Sequence, residues 1–343
     1  MAGLSLSQRD LQYTRQRLNE WFAHKSGGEV KISDLAPANE AVGYSSESLV
    51  FSVETGRLSR DYVVRIPPSG GGIFADYDLE GQTKTQELLH RHGVPTPWPI
   101  HFEPDPEWIG SRFLVMPRIF GHIPEDNPYA PGWLAAASES VRRRSHDSFL
   151  ELLATIQSVP GTDAPWLRVG KHAELDWWQD YLAWGTDGQV PDRLTSAFVW
   201  LREHEPDDPP ELSISWGDAR MANCIFDDDG NVVGALDWEQ ACICPAEADL
   251  GWWLATRRQS REWIGLEAEP PGFDSRETVI DRYEYMVGRR MVDLEWYEMF
   301  ALTRLACCIA RVLILLQRVD PDHRLMDVPL LPPWAEEFMG IQN

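Results

Sequence analysis

Asp218, Asn223 and Asp237 have the types and spacing to do chemistry together, within LSISWGDARMANCIFDDDGNVVGALDWEQACICPAEADL, residues 212–250. Four residues separate Asp218 from Asn223, in a short loop that opens with Trp216-Gly217. Asn223 leads into an apolar run, Cys224-Ile225-Phe226, followed by the turn Asp227-Asp228-Asp229-Gly230-Asn231. A second apolar run, Val232 to Leu236, delivers Asp237. Asp-Gly and Gly-Asn pairs between two β-prone runs signal a hairpin. A hairpin joins its ends, so Asn223 and Asp237 should meet, with Asp218 beside them. Two carboxylates and one amide at a hairpin mouth suit phosphoryl transfer. That chemistry needs hard oxygen ligands for a divalent ion and an acceptor for the proton of an attacking hydroxyl. The competing reading is a solvated Asp-rich turn. The hairpin and the second Asp weigh against it.

The elements around this stretch set its position. Ser7 to Lys25 reads as an amphipathic helix, with Ser7 as N-cap candidate and Gly27-Gly28 as its stop. Short β-prone runs follow at Val30–Leu35, Leu49–Glu54 and Tyr62–Ile66. A helix is expected over Asp76–His92 and another strand over Phe113–Met116. From there the pattern is mainly helical: Gly132–Val159, Leu175–Trp184, Thr195–Glu205, Asp249–Trp263, Arg276–Gly288 and Leu294–Val319. A β-rich small half and a helix-rich large half make a two-lobed α+β plan, joined near Met116–Arg118. The expected division is residues 1–117 and 118–343. Gly70-Gly71-Gly72 is not a P-loop, because no G-x-x-x-x-G-K-[ST] occurs. Protein kinases space a catalytic Asp, a metal-binding Asn and a later metal-binding Asp after a hairpin in the same way.

Composition narrows the function class. The 343 residues allow a sizeable core, and 43% apolar content indicates a globular chain. A net charge of −23 argues against nucleic-acid or anionic-membrane partners. The five cysteines, Cys224, Cys242, Cys244, Cys307 and Cys308, fit neither a disulfide framework nor a zinc-site spacing and are expected to be reduced. No secretory leader pattern opens the sequence. The apolar stretch Leu305–Leu316 is interrupted by Arg311 and reads as too short for a bilayer. The expected location is the cytoplasm.

Trp216-Gly-Asp-Ala-Arg-Met-Ala-Asn223, Leu236-Asp-Trp-Glu239 and Ala248-Asp-Leu250 together resemble the aminoglycoside phosphotransferase/choline kinase family, small-molecule kinases with a protein-kinase-like fold. Arg65-Ile-Pro-Pro68, Gly93-Val-Pro-Thr-Pro97 and Phe113-Leu-Val-Met-Pro-Arg118 with Gly121 extend the likeness over most of the chain. The nearest branch has W-G-D where H-G-D is usual and is related to domains fused to acyl-CoA dehydrogenases. The resemblance implies ATP, or another nucleoside triphosphate, and Mg2+ as cofactors. It implies Asp218 as the catalytic Asp that accepts the proton of the acceptor hydroxyl and orients it, Arg220 near the γ-phosphate, and Asn223 and Asp237 on the metal. Asp249 would brace the catalytic loop, and Glu239 would support the metal shell or contact substrate. Arg65 would stand where kinases keep a phosphate-gripping lysine, partnered by Gln82, Glu80 or Glu87. Gly43, Ser45 and Ser46 would cover the phosphates. Met116, Arg118 and Ile119 would form the hinge against the base. Trp216 departs from the usual catalytic-loop histidine.

The acceptor is expected to be a small molecule bearing a hydroxyl. Trp177, Trp178, Trp184 and Trp200 could line its pocket or belong to the core. Acidic segments at Glu203–Glu211 and Glu267–Asp274 would suit an amino sugar. Arg142-Arg143-Arg144, Arg257-Arg258 and Arg289-Arg290 would suit the phosphates of a hydroxyacyl-CoA. A non-catalytic nucleotide-binding pseudokinase is the third reading. Survival of the base, both metal ligands and a phosphate cation disfavours it.

Overall fold

The computed structural model describes residues 9–38, 45–68, 71–207, 209, 211–320, 322 and 328–341. Helix α1 (Leu11–Ser26) starts one turn later than Ser7 would place it, because Asp10 is the cap and accepts from the backbone N–H groups of Gln12 and Tyr13. Ser7 lies outside the described residues. Gly27, at φ 68°, closes the helix.

Strands β1 (Lys31–Ile32), β2 (Ala36–Pro37), β3 (Glu47–Thr55) and β4 (Leu58–Ile66) follow. Helix α2 (Leu79–Arg91) then precedes β5 (His101–Glu103) and β6 (Phe113–Pro117). The strands form one antiparallel sheet in the order β1-β3-β4-β6-β5, with β2 beside β3. Both faces of its centre are covered, which is why β6 reads as an unbroken apolar run. Phe113 and Val115 pack with Leu18 and Trp21 of α1. The alternate residues, Leu114 and Met116, pack with Leu88 and Leu89 of α2 and join the core of the large lobe.

The large lobe opens with α3 (Trp133–Ala136) and α4 (Glu139–Gln157), where the sequence suggested one helix over Gly132–Val159. Ser138 breaks it: its hydroxyl caps the N–H of Val141, and its own extended backbone ends the first piece. Helices α5 (Lys171–Gly185) and α6 (Asp192–Glu203) lead to β7 (Ser213–Ser215). The hairpin β8 (Cys224–Phe226) and β9 (Val232–Ala235) forms as expected, with Cys224 opposite Ala235. Asp227 organises its turn, accepting from the N–H of Asn231 at 2.8 Å and of Asp229 at 3.0 Å. Strand β10 (Cys242–Cys244) pairs with β7, and α7 (Ala246–Trp263), α8 (Arg276–Val287), α9 (Leu294–Val319) and α10 (Pro333–Phe338) complete the lobe.

Helix α9 corrects one expectation. It is long and apolar enough to cross a membrane, yet 72% of its most apolar window is buried inside this fold. It runs against α5, α6 and α7 as a core helix. The five cysteines are free, as expected.

Candidate active site

Asp218 lies in the loop between β7 and β8, and that loop is braced from beneath. The buried carboxylate of Asp249, in α7, accepts the backbone N–H of Trp216 at 2.7 Å and of Gly217 at 3.0 Å. It also accepts the Ser215 hydroxyl at 2.8 Å and the Gln157 amide at 3.0 Å. Gly217 has φ 84°, and a Cβ there would stand 2.1 Å from the Gln240 carbonyl oxygen, so the position admits only glycine. Arg304 of α9 is 1% exposed and donates to the Gly217 carbonyl at 2.7 Å and to the Gln240 side chain at 3.2 Å. Its guanidinium lies over the rings of Trp252 at 4.9 Å and Trp178 at 5.2 Å.

Trp216 does structural work that a histidine could not do in the same way. Fully buried, it stacks on Trp238 at 5.1 Å. Its indole N–H is shared between the carbonyls of Leu236 at 2.9 Å and Asp237 at 3.1 Å. The ring therefore ties the Asp218 loop to the segment carrying Asp237.

The three residues picked out from spacing converge. Asn223 donates its side-chain N–H to the Asp218 carbonyl at 3.0 Å, which leaves the amide oxygen as the end available to a cation. The Leu236 N–H donates to the Asn223 carbonyl at 2.9 Å, which sets Asp237 next to Asn223. Asp237 holds φ at 61°, a left-handed conformation that Asp tolerates better than most residues. An amide oxygen and a carboxylate are hard donors and fit a magnesium ion. Asp218 is 7% exposed, and burial pushes its carboxyl above the usual range while Arg220 opposes that shift. Arg220 Nε sits 3.1 Å from the Asp218 carboxylate, and Nη1 reaches Asp126 at 3.0 Å.

Arg65 faces this cluster from β4. Its Nη2 lies 2.9 Å from Glu239 and 3.5 Å from Asp237. The expected partners on α2 are engaged elsewhere: Glu80 pairs with Lys84 at 2.7 Å, and Glu87 with Arg91 at 2.6 Å, each within the helix. Gln82 is buried and offers its backbone carbonyl to the Gln86 side chain. Ser45 and Ser46 both donate to Glu239, the second at 2.9 Å. Gly43 lies outside the described residues. Burial and Asp237 raise the Glu239 carboxyl to about 7, against the pull of Arg65 and the two serines.

Between the lobes lies a cavity of about 480 Å³. Val50, Val63, Met116, Ile225 and Leu236 give it apolar walls, and Arg65 and Asp237 are also on its lining. Arg118 and Ile119, offered with Met116 as the hinge, line it too. The Arg118 backbone N–H donates to the Asp61 carbonyl at 2.9 Å, and its guanidinium lies over Phe120, which also lines the cavity.

A model of the phosphotransferase enzyme family matches residues 40–278. The chain belongs to that family. Among curated proteins it is 26% identical to human acyl-CoA dehydrogenase family member 11, over 82% of this chain and 36% of that protein. The rat protein of the same name is 29% identical over 56% of this chain and 25% of its own length. The chain thus spans about a third or less of the curated relatives it matches. Among solved structures, a candidate aminoglycoside phosphotransferase from Ralstonia eutropha superimposes with a TM-score of 0.69, 20% identity, and coverage of 91% of this chain and 92% of that one. Aminoglycoside phosphotransferase APH(4)-Ia does so with a TM-score of 0.54, 17% identity, and coverage of 95% and 97%. The fold is that of the kinase-like phosphotransferases.

Within this phosphotransferase, several residues offered for acceptor binding have other roles. Trp178 is core. Trp177 lies under Arg168 and Trp184 under Arg311, each at 4.3 Å, and Trp200 stacks on His204. Glu269 accepts from Tyr129 and Arg261, and Asp274 pairs with Arg143 and Arg282. The basic runs are engaged as well: Arg142 bonds the Pro271 carbonyl, Arg144 pairs with Glu151, Arg258 with Glu262, Arg289 with Glu247 and Arg290 with Glu284. His146, Asp147 and Asp274 lie close enough to share a cation, but Arg143 and Arg282 already neutralise those carboxylates.

Proposed function

We propose that this chain is an ATP-dependent kinase that moves the γ-phosphate to a hydroxyl of a small molecule. The observation that carries the reading is the convergence of Asp218, Asn223 and Asp237 opposite Arg65, on a cleft with an apolar cavity. Asp218 would accept the hydrogen bond of the acceptor hydroxyl and orient its oxygen for attack. Arg220, a third exposed and beside Asp218, would meet charge on the transferring group. Asn223 and Asp237 would hold magnesium, which when bound neutralises phosphate charge. Arg65 would grip phosphate oxygens, and the apolar walls near Met116 and Ile119 would take the base. A thermostable mutant of APH(4)-Ia, solved with ADP and hygromycin B, adopts the same fold at a TM-score of 0.53 and 16% identity. That likeness supports a nucleotide and a small-molecule acceptor for this chain.

A second reading of the acceptor is a hydroxyacyl thioester, favoured by relatives named for acyl-CoA dehydrogenases. Of the acids offered for an amino sugar, Glu269 and Asp274 are paired within the protein, and the arginines offered for CoA are engaged there too. The choice therefore belongs to a screen. Purified protein with ATP and magnesium is assayed for γ-phosphate transfer to panels of amino sugars and hydroxyacyl-CoAs. Transfer to one panel should fall by at least ~100-fold in Asp218→Ala. Undiminished turnover in that variant would remove Asp218 from the mechanism. The five free thiols support a cytoplasmic location.

A further inference from the structure

We propose that Glu239, in the large lobe, is the positioning residue for Arg65, a part that protein kinases assign to a glutamate on the small-lobe helix. The proposal rests on the reading of the cleft as a nucleotide site.

Glu239 is 5% exposed at its side chain and collects three donors from the opposite lobe. Arg65 Nη2 and the Ser46 hydroxyl reach it at 2.9 Å each, and the Ser45 hydroxyl takes its second oxygen. The Ser45 carbonyl in turn accepts the Tyr77 hydroxyl at 2.7 Å. The end of β4 and the approach to β3 therefore meet on one carboxylate, and the loop before α2 joins them through Ser45. Helix α2 supplies no substitute, since Glu80 and Glu87 pair with their own helix neighbours.

The geometry points to support and not to blockade. Arg65 gives only Nη2 to the two acids, and among the described residues no partner falls on Nη1 or Nε. One edge of the planar fork is fixed while the other edges stay open for phosphate oxygens. Because the anchor sits across the cleft, the phosphate grip is complete only when the lobes meet at Glu239. Nucleotide affinity and lobe contact are thereby linked.

The test is calorimetric binding of ADP with magnesium to the full chain and its variants. Arg65→Ala and Glu239→Ala should each weaken binding by at least ~10-fold, and the double variant should be no weaker than Arg65→Ala alone. Glu239→Gln should bind within ~3-fold of wild type. Its amide oxygen still accepts Arg65 and Ser46, and the Ser45 hydroxyl can turn to accept the amide N–H. Glu239→Asp, which keeps the charge but draws it back from Arg65, should weaken binding and covers the case in which Glu239→Ala fails to fold. Equal or tighter binding by Glu239→Ala or Glu239→Asp overturns the proposal, because Glu239 would then be a bystander or a competitor of phosphate. A Glu239→Gln loss as large as that of Glu239→Ala also overturns it, since the carboxylate would then act through its charge. If Arg65→Ala binds ADP as wild type does, the nucleotide reading of Arg65 fails first, and the proposal with it.

Discussion

Replacing Asp249 by Asn isolates the brace under the loop that carries Asp218. In the native loop Oδ2 accepts the Trp216 N–H and the Gln157 amide, and Oδ1 accepts the Ser215 hydroxyl and the Gly217 N–H. Asparagine can sit in two orientations. With its NH2 at the Oδ1 position, Ser215 can rotate and accept, but the Gly217 N–H loses its acceptor. With its NH2 at the Oδ2 position, Gln157 can flip, and the Trp216 N–H is left alone. Each orientation thus orphans one buried backbone N–H, which costs about 1–3 kcal/mol. Loss of charge assistance adds to this, and release of a buried charge offsets part of it, because burial already raises the Asp249 carboxyl. The expected net cost is about 2 kcal/mol. Asp249→Ala orphans both N–H groups and should cost about twice as much, ~4 kcal/mol. Urea unfolding at pH 7, followed by tryptophan fluorescence, measures both. Asp249→Asn should also slow γ-phosphate transfer, since Asp218 follows Gly217 directly and small misplacements are expensive in rate. The reasoning is refuted if Asp249→Asn unfolds at the wild-type midpoint, or if Asp249→Ala is no worse than Asp249→Asn.

Gly217→Ala places a side chain at φ 84° and against the Gln240 carbonyl. It should cost about 3–5 kcal/mol in urea unfolding, the sum of left-handed strain and a backbone shift; a loss under ~1 kcal/mol would mean the loop relaxes freely. His146 is fully buried, and burial together with Arg257 lowers its pKa from 6.5 to about 3. The unfolded chain takes up that proton near pH 6.5 and the folded chain does not, so stability falls as pH drops through this window towards about 3. By pH 5 the loss from this group should be about 2 kcal/mol, and His146→Gln should remove that part of the pH slope; an unchanged slope in the variant contradicts it. Asp237→Asn should weaken ADP binding by ~10-fold in magnesium and leave it unchanged in EDTA. An equal loss in both conditions would assign Asp237 to the protein scaffold.

The candidate centre was legible because its parts are local. Asp218, Asn223 and Asp237 lie within one loop and one hairpin, so turn chemistry alone brings them together. The contacts that hold the centre in place are not local. Arg304 reaches Gly217 across 87 positions and Arg65 reaches Glu239 across 174, and no periodicity links such pairs. A weaker signal was present for the first. Arg304 and Arg311 stand seven apart in the most apolar helix of the chain, on one face, and a buried arginine must find acceptors. Arg304 finds the carbonyl of Gly217, and Arg311 bonds the Gly72 carbonyl at 3.2 Å. No comparable signal paired Glu239 with Arg65; the family resemblance placed it at the metal shell or the substrate. Helix position favoured Glu80, Gln82 or Glu87 because a kinase-like plan puts the acid on α2, but Glu80 and Glu87 lie on the exposed side of that helix, where lysine and arginine neighbours neutralise them. A buried guanidinium at the end of β4 then takes the nearest desolvated carboxylate, and Leu236-Asp-Trp-Glu239 supplies it two residues after Asp237. The same short segment therefore serves both lobes: Asp237 turns towards Asn223 through a left-handed backbone, and Glu239 turns towards Arg65 and the serines. Trp216 serves the same segment. Its indole N–H clamps the carbonyls of Leu236 and Asp237, so the ring fixes the segment on which both acids depend.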